Sequence, residues 1–209
     1  MPSPTSQLIL ASGSPYRRSL LQRLTIDFST LVPGISETAH AEEQPSALAL
    51  RLASSKAATI AREHPEAVVI GSDQLAALGN EILGKPGKHS VAARQLARCS
   101  GKTVIFHTAV CVSCISNSFE ETHVDITTVH FRTLTPAEID RYLAKDQPWD
   151  CAGSFRSEGL GATLFDAIEN QDPTAIIGLP LIWLAASLQR AGINLLAQES
   201  AEVRQAPIF

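Results

Sequence analysis

The sequence predicts an α/β protein built around a mixed β-sheet, and three observations support this class. Apolar runs alternate with helical patterns in the first half of the chain, which is typical of parallel strands joined by helices. Two long strand-like runs then flank a short polar turn and predict an antiparallel hairpin. With 209 residues, of which 44% are hydrophobic and 18% charged, the chain can bury a substantial core as a single domain covering residues 1–209.

Six strand-like runs and a short hairpin make up the predicted sheet. The two long runs meet at the turn of residues 116–118, and the short hairpin turns at Gly79-Asn80, a pair that allows a tight turn. The six runs are residues 7–12, 27–32, 67–72, 103–115, 122–131 and 163–168.

Five helices are predicted, and two of them have strongly marked starts. Ser14 followed by Pro15 is a cap with proline at the first helical position. Thr135 and Glu138 form a capping box. The helices cover residues 15–24, 45–63, 90–99, 136–145 and 173–191.

Charge and hydropathy exclude several functional classes. The formal net charge of −4 argues against a general nucleic-acid binder, so an anionic ligand must be held by a local basic site. No stretch approaches the ~20 apolar residues of a membrane span, and the first residues do not resemble a signal peptide. We therefore expect a cytoplasmic protein without a membrane partner. The polar tails at residues 1–6 and about 198–209 are expected to be flexible.

The four cysteines are predicted to be small buried hydrophobes. Cys111 and Cys114 form a CxxC within a strand-like run, where residues three apart point to opposite faces of the sheet. The two thiols therefore cannot share a metal, and no second pair completes a zinc site.

The stretch "LILASGSPYRRSLL" combines the end of a buried strand with two arginines in the next helix. Ser12 lies in the strand-to-helix turn, and Arg17 lies in the first helical turn. Free N–H groups at a helix start favour a bound anion, while basic side chains there are locally unfavourable. A bound phosphate would explain Arg17. The alternative is an ordinary helix cap with Arg17 and Arg18 solvated.

Lys56 interrupts the apolar stripe that Leu48, Leu52 and Ile60 form along one helix face. Its ammonium group either snorkels to the edge of that face or reaches inward to a phosphate.

Asp73 follows the apolar run of residues 67–70, at or just past the end of a predicted strand. Ligand crevices of α/β sheets open there. A carboxylate at this place can position a divalent metal or accept a proton from water, although a turn residue is the alternative. Lys85 could return a second cation to the same crevice. Its surroundings, "GKPG", do not form a Walker A motif, because no serine or threonine follows Lys85.

The stretch "CAGSFRSEGLGATLF" carries three glycines that allow a close approach of backbone to ligand. Arg156 and Glu158 lie between these glycines. A glycine-rich loop by itself is weak evidence for a ligand site. The sequence contains no GxSxG motif, so a serine hydrolase is not indicated.

Taken together, these stretches resemble the Maf family over roughly residues 7 to 195. "ASGSPYRRSLL", Glu37 in "GISET", Lys56 in "SSKA", "GSDQ…GKP" and "SEGLGATLF…GLP" occur in the family's order. The resemblance implies a two-lobed, mixed-sheet fold like that of inosine triphosphatases, with a substrate cleft between the lobes. It also implies a cytoplasmic nucleoside triphosphate pyrophosphatase that needs Mg²⁺ or Mn²⁺ and forms a homodimer.

The same resemblance implies a role for each matching residue. Asp73 is the candidate general base, and Glu37 and Asp73 are the candidate metal ligands. The candidate phosphate-binding residues are Ser12, Arg17, Lys56 and Lys85.

Three departures from the commonest family pattern point to a subgroup. The commonest family pattern has SPRR, GADT and a glutamine in the later glycine-rich stretch. At those places this chain has Tyr16, Gln74 and Glu158, a set that resembles the family members acting on N7-methyl-GTP. A carboxylate accepts from both donors of the guanine edge, and Tyr16 could stack on the cationic ring. The alternative is that Glu158 is a solvated loop residue and Tyr16 packs on its helix.

Two other functions stay open. One is a dTTP or UTP pyrophosphatase of the same family, and the other is a non-catalytic nucleotide-binding regulator of cell division.

Overall fold

A single seven-stranded mixed sheet with five helices forms the protein, as seen in a computed structural model that describes residues 7–196. The predicted flexible tails lie outside the described residues. The strands are β1 (Leu8–Ala11), β2 (Ser29–Leu31), β3 (Val68–Leu78), β4 (Glu81–Leu83), β5 (Thr103–Cys114), β6 (Phe119–Phe131) and β7 (Phe165–Glu169). The helices are α1 (Pro15–Gln22), α2 (Pro45–Glu63), α3 (His89–Cys99), α4 (Pro136–Asp146) and α5 (Leu181–Arg190).

The sheet changes from parallel to antiparallel across β3. Its strand order is β2-β1-β3-β5-β6-β7, with β4 paired to β3 beside this path. β1 pairs in parallel with β2 and β3, and all later pairs are antiparallel. Because β1 is buried along its whole length and helices connect the parallel strands, the predicted mixed α/β class is confirmed.

β3 is longer than predicted, and this changes the place of Asp73. The expected strand ended at residue 72, but β3 continues to Leu78 because β5 pairs with it as far as Ala77. β1 stops pairing with β3 at Gly71. Asp73 therefore lies inside a strand, just beyond the point where the parallel part of the sheet ends.

α5 is shorter than the predicted helix of residues 173–191. A 3₁₀ turn at Ala175–Ile177 precedes it, and Gly178 has φ of 136°, which no helix accommodates. The Asp172 carboxylate accepts a hydrogen bond from the Ile182 backbone N–H at 2.6 Å, so the helix begins only after Pro180.

Both predicted hairpins and both marked helix starts are confirmed. The hairpin turns join β3 to β4 and β5 to β6, and the Ser14 cap and the Thr135 capping box both form. Cys111 and Cys114 pack into different core clusters on opposite faces of the sheet, as their spacing predicts.

Three apolar clusters divide the molecule into two lobes. In the first lobe, α1 and α5 cover one face of the sheet and α2 covers the other. In the second lobe, α3 and α4 pack on the distal parts of β3, β5 and β6. Within residues 7–196, no helix combines the length and the apolar character needed to cross a membrane.

Candidate active site

A cavity of about 310 Å³ opens between the two lobes, which is within the range of ligand pockets. It collects eight of the nine candidate site residues, from six separate stretches of the chain. These wall residues are Ser12, Tyr16, Arg17, Glu37, Lys56, Gln74, Lys85 and Glu158.

The start of α1 forms one end of the cavity. Ser14 caps the helix by accepting from the Arg17 backbone N–H at 3.4 Å, and the Ser12 hydroxyl accepts from the Ser14 N–H at 3.2 Å. The strand therefore turns sharply into the helix, and both serines and the first helical turn face the cavity. Backbone N–H groups gathered at a helix start suit an anionic ligand.

Arg17 is directed into this site and is not solvated. Its Nε donates to the Gly178 carbonyl at 3.1 Å, and its Nη1 donates to the Ser12 hydroxyl at 3.4 Å. Burial lowers the pKa of Arg17, and the negative charges of Asp73 and Glu37 oppose that shift. A guanidinium has five N–H donors, so these two bonds leave three for a ligand. The solvated alternative is thus wrong for Arg17, whereas Arg18 is exposed.

Lys56 is buried between two carboxylates. Its Nζ lies 2.6 Å from Asp73 Oδ1 and 2.7 Å from Glu37 Oε1, and only 8% of the residue is exposed. The ammonium therefore reaches inward, and snorkelling to the helix edge is wrong. The hydrogen bond from Lys56 holds the pKa of Glu37 below its usual value, and the more distant charges of Lys85 and Arg17 add to this.

Asp73 is the one candidate residue outside the cavity wall. It lies behind the Lys56 ammonium, with about a tenth of its side chain exposed. Lys56 occupies Oδ1, so Oδ2 is the oxygen left for a metal or a water molecule. Any chemistry of Asp73 therefore takes place beside a positive charge.

The donor set fits a divalent cation that arrives with its phosphate ligand. Glu37 and Asp73 contact one common nitrogen, so a cation near that point would meet both carboxylates. In the part of the chain that the structure describes, no group of three or more histidines, cysteines or acids could hold a metal without other ligands. Mg²⁺ is usually bound by one or two carboxylates, substrate phosphates and water, and the residues present match that habit.

Lys85 lies on the opposite wall, in the loop after β4, and is exposed. Its charge acts on Glu37 across the cavity. The short hairpin thus brings a second cation, Lys85, to the cavity, as the sequence predicted.

Tyr16 lies in the same first turn of α1 and contacts the loop of residues 150 and 151 in the cavity wall. Its hydroxyl lies 3.3 Å from Asp150 Oδ2 and 3.6 Å from Cys151 Sγ. Burial, followed by the neighbouring Cys151 and Asp150, raises the pKa of Tyr16, so the hydroxyl stays protonated and donates to Asp150. The tyrosine therefore does not simply pack on its own helix.

Cys151 is an exception to the prediction for the cysteines. Cys99, Cys111 and Cys114 are buried, but Cys151 is half-buried and lines the cavity. Its loop passes Tyr16 at the boundary of the lobes, which an isolated sequence window cannot show. Burial raises the pKa of this thiol to about 11, so the thiol form predominates at neutral pH.

Glu158 is exposed at the cavity edge and free to meet a ligand. The neighbouring Arg156 is not available to it, because its Nε binds Asp146 at 3.1 Å. The Glu158 carboxylate accepts from the Ser157 hydroxyl at 3.2 Å. Arg156 is thus paired with Asp146 and not with the Glu158 carboxylate in the cavity wall.

Gln74 lines the cavity, and its amide nitrogen is bound by neighbouring protein atoms. Its Nε2 donates to the carbonyls of Ala175 and Ile176 at 2.9 and 3.0 Å and lies 2.9 Å from Thr108 Oγ1. Since two carbonyl oxygens face this group, it is the nitrogen that points to them.

Sequence reasoning missed two residues of the site. Asp150 had no signal except its place just before the glycine-rich stretch. Gly178 could have been noted in "GLP", where the glycine precedes a proline by two residues, but its contact with Arg17 joins residues 161 positions apart.

Comparison with known proteins gives consistent matches over nearly the whole chain. A family described as Maf-like protein matches residues 7–191. A protein of Polaromonas sp. named 7-methyl-GTP pyrophosphatase is 51% identical, over 93% of this chain and 90% of the relative. One of the same name from Xanthomonas oryzae pv. oryzae is 55% identical, over 90% of this chain and 98% of the relative. The solved Staphylococcus aureus Ham1 protein matches with 11% identity, 60% and 72% coverage and a TM-score of 0.44, too low for a conclusion.

Proposed function

This chain belongs to the Maf family, and from that premise we propose that it hydrolyses N7-methyl-GTP to N7-methyl-GMP and pyrophosphate. The curated relatives at about 50% identity are named for this substrate. The observation that carries the proposal is that one cavity is lined by the cations Arg17, Lys56 and Lys85 and, in a separate loop, by Glu158. We assign the triphosphate to the end with Arg17 and Lys56 and the cationic base to the end with Glu158.

The phosphate end supplies charge neutralisation. Water attacks the α-phosphorus and pyrophosphate leaves, so negative charge grows on the leaving oxygens. Arg17 offers three free N–H donors to these oxygens, and Lys56 and Lys85 add two ammonium groups on facing walls. Binding that strengthens as this charge develops accelerates the reaction.

Asp73 is proposed to accept the proton of the attacking water. The adjacent Lys56 orients its carboxylate through the hydrogen bond to Oδ1. Glu37 and Asp73 would hold a Mg²⁺ or Mn²⁺ ion, which when bound polarises phosphate oxygens and lowers the pKa of coordinated water.

The base end supplies the preference for methylated guanine. Glu158 is acceptor-only when charged, so it can take both donors of the guanine edge, N1–H and the N2 amino group. Thymine and uracil place acceptors beside their single donor, and a carboxylate repels these. N7 methylation makes guanine cationic, which strengthens the contact with Glu158 and a stacking contact on Tyr16.

The experiment that tests the function is a turnover screen of the purified protein with Mg²⁺ or Mn²⁺. N7-methyl-GTP, GTP, dTTP and UTP are compared, and both pyrophosphate and orthophosphate are measured. We expect pyrophosphate as the first product and N7-methyl-GTP as the best substrate. Orthophosphate as first product contradicts the mechanism, and a preference for dTTP or UTP favours the other specificity of the family.

A non-catalytic regulator of cell division is separated from an enzyme by Asp73→Asn. An enzyme should lose roughly a hundredfold in turnover, since a general base contributes about 10²–10⁴-fold, while nucleotide binding is retained. Asp166→Asn on β7 is the matched control, because that carboxylate is exposed outside the cavity. Unchanged turnover of Asp73→Asn would make Asp73 a structural residue.

Partners and location follow from the resemblance and the substrate. A homodimer in the cytoplasm is proposed, with a small-molecule nucleotide as substrate and no nucleic-acid partner. Light scattering across a concentration series tests the dimer, and a monomer at all concentrations contradicts it.

A further inference from the structure

The cavity wall formed by residues 175–178 is attached to the sheet by three buried or half-buried polar side chains. Ser72 and Gln74 lie on the same face of β3, because they are two residues apart, and Thr108 is the partner of Gln74 on β5. Ser72 and Thr108 are fully buried. We call Ser72, Gln74 and Thr108 the polar row. All three donate to backbone carbonyls of the wall.

The Ala175 carbonyl is the centre of these contacts. It accepts from Thr108 Oγ1, from Gln74 Nε2 and from the Gly178 backbone N–H, each at 2.9 Å. A carbonyl with three donors around it has little freedom to turn. The Gly178 peptide is therefore fixed by the same oxygen that the polar row binds.

The Gly178 carbonyl then determines where the Arg17 side chain lies. It accepts from Arg17 Nε and from Ser72 Oγ, both at 3.1 Å. Gly178 has φ of 136°, and a Cβ at this position would lie 3.2 Å from Arg17 Cγ. The arginine is thus packed closely on the peptide that the polar row holds.

We propose that the polar row, with Thr108 at its centre, is a positioning device that orients the Arg17 guanidinium toward the phosphates of the substrate. The proposal rests on the phosphate-binding role proposed for Arg17. Thr108 itself is not in the cavity wall and acts through Ala175 and Gly178. Both hydrogens of Gln74 Nε2 are used in hydrogen bonds to the wall carbonyls. The Gln74 amide nitrogen therefore influences a substrate only by positioning the wall.

The test compares two substitutions at Thr108. Thr108→Val keeps the shape of the side chain and removes its donor, whereas Thr108→Ser keeps the hydroxyl. With the best triphosphate of the screen, kcat/KM for pyrophosphate release should fall about tenfold in Thr108→Val, since small misplacements of positioning groups reduce rates strongly. Thr108→Ser should stay within about twofold of the original protein.

Thr127→Val is the matched control. Thr127 lies on β6 and is fully buried, and its hydroxyl has no hydrogen-bond partner in the described part of the chain. Removing an unpartnered hydroxyl should not reduce activity. Comparable Tm values for the Thr108 and Thr127 variants would show that both fold.

A double-mutant cycle with Arg17→Lys shows whether the effect passes through Arg17. A lysine lacks Nε–H at the position that Gly178 accepts from, so Thr108→Val should cost little further activity in that background. Residues acting through one another give non-additive effects. An equal loss in both backgrounds, an unchanged Thr108→Val, or a Thr108→Ser as slow as Thr108→Val would each overturn the proposal.

Binding of inorganic triphosphate by calorimetry gives a readout that needs no turnover. Thr108→Val should weaken it and Thr108→Ser should not. A preference for another base, or an absence of turnover, would contradict the proposed function. The comparison of triphosphate affinity between the Thr108 variants would still test the positioning role. Equal affinity of both Thr108 variants and the original protein would contradict the positioning role itself.

Discussion

At the residue scale, the direction of a side chain matters more than its chemical type. Arg17 and Arg18 are neighbours at the start of α1, yet Arg17 enters the cavity and Arg18 is exposed. Successive residues of a helix point about 100° apart, so only one of two adjacent arginines can face the site.

Arg17→Lys should lower kcat/KM for pyrophosphate release about 10- to 100-fold, because an ammonium cannot replace the planar set of donors. The measurement is steady-state kinetics, with Arg18→Lys as the matched control. A loss of similar size in Arg18→Lys would show that the effect does not depend on the placement of Arg17 in the cavity.

Glu158→Gln should reduce the preference for N7-methyl-GTP over dTTP and UTP. The substitution turns one acceptor at the guanine edge into a donor that faces a donor, and mismatched polar groups in a site lower specificity by up to several powers of ten. Ratios of kcat/KM for the four triphosphates measure this. An unchanged ratio would mean that Glu158 is only a solvated loop residue.

At the scale of elements, the close packing of α2 on β3 places Lys56 beside Asp73. Gly71 makes this approach possible, since a Cβ there would lie 2.2 Å from the Ala53 carbonyl oxygen and 2.6 Å from the Ala57 nitrogen. Both neighbours are backbone atoms of α2 and cannot turn away. The spacing of helix and strand is therefore set at Gly71, two residues before Asp73.

Gly71→Ala should force α2 away from the sheet and lower the free energy of unfolding by about 1–3 kcal/mol. Activity should fall as well, because Lys56 moves with the helix. Thermal unfolding and kinetics check both effects. Gly34→Ala is the control, since nothing lies within 4 Å of its Cβ, and a destabilisation equal to that of the control would contradict the packing argument.

At the scale of the whole molecule, one buried acid should make stability depend on pH. Asp125 on β6 is 4% exposed, and its Oδ1 has no hydrogen-bond partner among residues 7–196. Burial, with the nearby Asp172 charge, raises the pKa of Asp125 to about 6. The folded protein therefore holds this proton more tightly than the unfolded chain, whose aspartates titrate near pH ~4.

The sign of the effect follows from the raised pKa. Between pH ~4 and ~6 the folded state binds more protons at Asp125, so the free energy of unfolding falls as pH rises through this window. Asp125→Asn should raise stability by about 1–3 kcal/mol at pH 8 and by much less at pH ~4. Tm measured at both pH values checks this, and an equal shift at the two would contradict it.

Local sequence signals were sufficient for most elements and for the composition of the site. The Ser14 and Thr135 caps, the Gly79-Asn80 turn and the opposite faces of Cys111 and Cys114 depend on neighbouring residues. Such contacts need no knowledge of the rest of the chain. The order of short motifs also identified the family, whose match covers residues 7–191.

The sequence by itself determined the mixed α/β class, the helix starts and the side chains available to the site, because these depend on interactions within a few residues. Only the tertiary structure decided that Lys56 points inward, that β3 continues past Asp73 and that Gly178 holds Arg17. Each of these depends on residues far apart in the chain. Burial removes water from polar groups, which then need hydrogen-bond partners within the protein. Packing, and not local sequence, decides which partner each group finds.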